Sequence, residues 1–215
     1  MTVASAPAAN DSLWRKALHV AWLSILLGLT LEILILVLHA YTNTAGHSPR
    51  PFVADLAQKV SWSLFVCIGL ALGTTVSKAR ARVMGLLGLI SAPLGFSVAR
   101  SVHKGVNQAL GLGAAAGGAS LLVVGGLKAL EYGVLGAVLG ALTRPGQPAG
   151  LGRHMGTGAA VGLTFGSAIV AVLASTAAHS LTLVELAARG IGEVLFPVGC
   201  SLVLYAADVI GKRSG

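Results

Sequence analysis

Two stretches of this chain decide its reading: Gly88-Leu-Ile-Ser-Ala-Pro93-Leu-Gly95-Phe-Ser97-Val98 and Gly192-Glu-Val-Leu-Phe-Pro197-Val-Gly199-Cys-Ser201-Leu202. Each sets a proline inside a long apolar run, with a glycine two residues on and a serine four residues on. Apolar runs of about 20 residues are long enough to cross the hydrocarbon core of a bilayer. Such runs are placed at roughly 18–40, 61–77, 83–99, 114–142, 155–177 and 191–210. The two stretches therefore sit in the third and sixth of six spans. If each copy holds three spans, an odd number, the second copy lies upside down relative to the first, an arrangement recurrent among transporters.

Further matches support a duplication. Gly69-Leu-Ala-Leu-Gly73-Thr74 in span two resembles Gly162-Leu-Thr-Phe-Gly166-Ser167 in span five, and Gly28-Leu-Thr-Leu31-Glu32 resembles Gly126-Leu-Lys-Ala-Leu130-Glu131 in span four with one residue inserted. The three matches fall in the same order in both halves. The expected fold is all-α and integral to a membrane: six transmembrane helices in two inverted three-helix repeats. Residues 1–13 read as a flexible cytoplasmic tail, 14–105 as the first half and 106–215 as the second.

Composition excludes the main rivals. Of the 215 residues 55% are apolar and 10% charged, a balance that a water-soluble surface does not carry. A signal peptide over the first span is rejected, because the run exceeds a signal's apolar core, contains Glu32 and is followed by five more spans. In this arrangement Arg15, Lys16, Lys78, Arg80, Arg82, Arg144, Arg153, Lys212 and Arg213 fall on one side, nine against five, which predicts cytoplasmic termini and points to a bacterial inner membrane. The net charge of +8 is then a topology signal and an attraction to anionic headgroups. The basic residues are scattered between spans, so no nucleic-acid partner is expected.

Finer features complete the expectation. Ser12 is read as the cap of a helix beginning near Leu13, residues 53–60 as a short interfacial helix before the second span, at the end of an outward-facing loop over about 41–60, and span four as broken or tilted by its glycines. Residues 144–153 read as a cytoplasmic linker. The run 111–118 lacks the strand and Lys-Ser/Thr of a phosphate loop.

Glu32 is the sharpest residue, since a carboxylate deep in a span costs on the order of 3 kcal/mol and needs a partner, a proton or water. Glu131 is expected across the midplane from it, as a second half-site or as the local partner of Lys128 three residues earlier. Glu193 and Asp208 are expected near the ends of span six and solvated. Pro93 and Pro197 are expected to bend their helices and free a carbonyl each, which Ser91, Ser97 or Ser201 would satisfy. Glycines four apart (Gly69 and Gly73; Gly136 and Gly140; Gly158, Gly162 and Gly166) are expected to form grooves for close helix packing. Cys67 and Cys200 are read as apolar packing residues. His39, His47, His103 and His179 collect toward the outer face without metal-site spacing, and no cofactor is implied.

These features predict a small channel or transporter for an ion, proton or small solute, with a path between the halves and Glu32 and Glu131 as its main polar groups. The alternative is a non-catalytic subunit packing into a larger membrane complex or homo-oligomer. No nucleophile–base or metal set argues for an enzyme.

Overall fold

The computed structural model of the chain describes residues 7–42, 49–75, 79–112, 120–143, 150–177 and 180–213. These are helical apart from short turns. The elements are α1 (Pro7–Tyr41), α2 (Pro49–Gly73), α3 (Arg80–Ala109), α4 (Leu121–Leu142), α5 (Leu151–Val161), a π-helical turn (Gly162–Gly166), α6 (Ser167–Ser175) and α7 (Leu183–Arg213). Six of the resulting helical stretches are long and apolar enough to cross a bilayer, the fifth being α5, the π turn and α6 run together.

The outer surface is built for lipid. Trp22, Val37, Leu86, Leu94 and Leu163 are each more than half exposed, while Ser24, Glu32, Ser63, Lys128, Glu131 and Ser201 are buried. In water this distribution would leave a large sticky surface around a polar interior. It suggests an integral membrane protein, whose apolar side chains cost nothing against acyl tails and whose polar groups find partners inside.

Each helix packs on its neighbours in the chain, and α7 closes the bundle by packing on both α5 and α1, with α2 reaching α7 across the middle. Glycine makes the closest approaches possible. A Cβ on Gly88 would run into the Tyr132 carbonyl, and one on Gly136 into the Met84 carbonyl, so α3 and α4 touch backbone to backbone. Lipid offers no hydrophobic gain on helix association, so such contact is a principal source of cohesion. Ser63 adds a hydrogen bond between helices, its Oγ donating to the Ser24 carbonyl at 2.6 Å.

Several helix ends differ from the sequence expectation. The first helix starts at Pro7, not Leu13, so Ser12 lies inside it and is not its cap. The second starts at Pro49, and residues 53–60 are its early turns, not a separate interfacial helix. In both, proline sits in the first turn, where its missing N–H removes no helical bond. The fourth is unbroken from Leu121, and most of the Gly-rich run before it lies outside the described residues. Gly111 takes a φ of 69° just beyond α3, the left-handed conformation that commonly ends a helix. The irregular span is the fifth, where five residues adopt the π form. The sixth begins at Leu183, eight residues earlier than expected.

Candidate functional site

The early start of α7 changes the environment of Glu193. It lies ten residues into the helix with its side chain only 19% exposed, and its carboxylate receives the Lys128 ammonium from α4. Lys128 also stands 3.6 Å from Glu131 Oε2, one turn along its own helix. The expectation of a solvated Glu193 near a helix end is thus corrected, and the local Lys128–Glu131 pair is present within a larger cluster.

Aromatic rings from four helices meet beside this cluster, with Trp62 in contact with the lysine. The Lys128 ammonium is 5.0 Å from the Trp62 ring centroid, close enough for attraction between cation and ring face. Trp62 in α2 meets Tyr132 of α4 edge-on at 5.5 Å, Phe96 of α3 edge-on at 6.3 Å and Phe196 of α7 at 5.8 Å. Tyr132 and Phe196 complete the wall at 6.1 Å.

Within that wall the charges do not balance. One ammonium faces two carboxyl groups, and the ammonium lies nearer Glu193. Glu131 is fully buried, and neither of its carboxyl oxygens has a hydrogen-bond partner; the buried hydroxyl of the next residue, Tyr132, has none either. A surplus buried charge costs several kcal/mol on the order-of-magnitude scale of ion desolvation. A proton on Glu131 removes the surplus and supplies a donor.

Pro93 and Pro197 are both inside helices, α3 and α7. Ser97 Oγ donates to the Pro93 carbonyl at 2.9 Å and Ser201 Oγ to the Pro197 carbonyl at 2.8 Å. Each serine thus bonds the proline's own carbonyl, not the one four residues earlier that the ring frees, and Ser91 Oγ is buried without a partner. The carbonyl freed by Pro197 is that of Glu193, and Gly166 of the π turn lies against it: a Cβ there would stand 2.8 Å away. Gly162 abuts the Val194 carbonyl, and Gly158 would place a Cβ 2.6 Å from the Pro197 carbonyl. The π turn and the stretch of α7 around Pro197 are therefore in direct contact. Gly69 and Gly73 face Ser91 and Met84 of α3, and Gly140 faces Ala81.

Glu32 belongs elsewhere. It is 4% exposed and its carboxylate is paired with Lys59 of α2. The close approach of Gly28 to the Val60 backbone, 3.0 Å for a built Cβ, brings the two helices together one turn away. Gly126, its counterpart in the second half, faces open space. Asp208 is also not solvated as expected: it accepts from Lys16 at 2.6 Å and from Arg80 at 2.7 Å, with Lys16 also donating to Thr74 at 2.7 Å. His103 lies 3.1 Å from Asp55; His47 and His179 lie outside the described residues. Among the described residues no group of three or more His, Cys, Asp or Glu is arranged to hold a metal ion.

Sequence reading missed Lys59, Trp62, Tyr132 and Phe196. It also did not bring together Cys67 and Cys200, whose sulfurs stand 3.2 Å apart as buried free thiols. Comparison with family models, with curated proteins and with solved structures finds no match to this chain.

Proposed function

We propose that this protein is a small proton-conducting or proton-coupled membrane transporter in which Glu131 loads and releases the proton. The observation that carries the reading is the buried Glu131 carboxyl, both oxygens without a hydrogen-bond partner, sharing one lysine with Glu193. Ionisable groups held inside a membrane protein mark ion and proton pathways by default. Glu32 has a lysine to itself and is assigned to holding α1 on α2. Lys128 is the moving part: when Glu131 gives up its proton, the ammonium shifts from Glu193 toward Glu131, and reprotonation returns it. The adjoining π turn and the hydrogen bond that Pro197 cannot make supply backbone that is not locked in a regular ladder, and π turns occur often at functional sites.

The inverted arrangement of the halves belongs to the same proposal. In both the second-with-third and the fifth-with-sixth helix pairs, the matching glycine pair of the earlier helix faces the proline-bearing helix, and the serine after each proline makes the same bond. The different settings of Gly28 and Gly126 weigh against strict symmetry. Orientation follows the lysines and arginines, with both termini cytoplasmic. A packing subunit is the rival reading, with its glycine grooves as the working surface. The seven glycines of those grooves are instead all occupied by helices of the same chain.

The test is proton flux into sealed liposomes containing the purified protein, driven by a potential and read with an enclosed pH dye. The native chain raises flux above empty liposomes and Glu131→Gln lowers it at least tenfold while remaining folded. Flux equal to that of empty liposomes for the native chain removes the proposal.

A further inference from the structure

We infer that Cys67 and Cys200 form a disulfide that fastens the second span to the sixth, closed by a low-molecular-weight disulfide while the chain inserts. These are the only two cysteines in the sequence. They lie 133 positions apart, in α2 and α7, yet the fold sets their sulfurs 3.2 Å from each other, both fully buried. A disulfide needs about 2.05 Å between the sulfurs, so bond formation asks for little more than an ångström of closure.

The chemistry is an exchange in two steps. The Cys67 thiolate attacks one sulfur of the small disulfide, forming a mixed disulfide and releasing one small thiol. Cys200 gives up its proton and attacks the Cys67 sulfur, which closes the intrachain bond and releases the second small thiol. Two thiols of the chain are oxidised, one small disulfide is reduced to two thiols, and nothing else is consumed. Timing follows from burial. Thiols enclosed in an apolar core are inert to reagents in water, so the mixed disulfide forms before the helices close, packing of α2 on α7 brings Cys200 to it, and the finished bond is shielded from reductant. The bond would link α2, which carries Trp62, to α7, which carries Glu193 and Phe196, and so fix the width of the aromatic wall. The inference stands on the sulfur geometry and does not use the transport reading.

The test is cell-free synthesis of the full chain into liposomes in reduced or oxidised glutathione, followed by denaturation, thiol labelling with a polymer-linked maleimide and an intact mass. Oxidising synthesis is expected to give a monomer with no reactive thiol, no attached glutathione and a mass lower by two hydrogens. Dithiothreitol is expected to restore both labels after denaturation and not before. Cys67→Ser is expected to leave Cys200 free or capped by glutathione. Two reactive thiols, glutathione adducts on the native chain, or a label lost only through inter-chain dimers would each overturn the inference.

Discussion

At Lys128 one ammonium serves two carboxyl groups and an aromatic face, so its removal reaches further than the loss of one pair. Lys128→Met leaves Glu131 and Glu193 facing each other without a cation. Stranding buried charge in this way typically costs about 3–5 kcal/mol. Thermal unfolding in detergent should show a large fall for Lys128→Met and a smaller one when Glu193→Gln is added, because the second change removes the charge that the first left unpaired. Equal or additive losses would mean that the two residues do not act as a pair. Glu32→Gln should behave differently. Lys59 keeps 24% of its side chain exposed and can carry its ammonium toward the membrane surface on its flexible stem, so the loss should be about 1 kcal/mol, with flux unchanged. A tenfold loss of flux in a folded Glu32→Gln protein would return Glu32 to the pathway. The depth of Glu32 was evident from sequence, but its partner was not. Lys59 of α2 faces it from the neighbouring helix, a relation visible only once α2 is known to start at Pro49.

Helices were legible as elements because about 20 apolar residues in a row admit few other structures. Their ends were harder to place. Pro49 and Pro51 read as loop residues, but proline in a first turn continues into helix, and that ambiguity hid both the extent of α2 and the position of Lys59 within it. A similar error at α7 put Glu193 near a helix end. The glycine contacts were half legible: the four-residue spacing identified the faces, whereas the partners needed the fold. Substitutions should separate touching glycines from free ones. Gly162→Ala and Gly88→Ala push a Cβ into a carbonyl of the facing helix, and overpacking of this kind costs about 1–3 kcal/mol. Gly126→Ala and Gly156→Ala meet nothing within 4 Å and should leave the thermal midpoint in place. Equal effects across the four variants would contradict the packing described for α3 with α4 and for the π turn with α7.

Among the described residues many large apolar side chains face outward, buried charged groups are paired inside, and ion pairs tie the helices. Glu32 with Lys59 joins α1 to α2, the Lys128 cluster joins α4 to α7, and Asp208 gathers α1 and α3 onto α7. Orientation can be checked at the same scale: protease added to sealed inside-out vesicles should remove tags from both termini, and right-side-out vesicles should protect both. Cleavage of only one tag would break the six-span order and the inversion with it. The claim on which the rest depends is that Glu131 exchanges a proton inside this bundle. The most direct measurement is the infrared spectrum of the reconstituted protein as the vesicles are acidified. The account predicts a protonated-carboxyl carbonyl band that shifts in heavy water and is missing from Glu131→Gln. Native and Glu131→Gln spectra that match throughout the titration would contradict it.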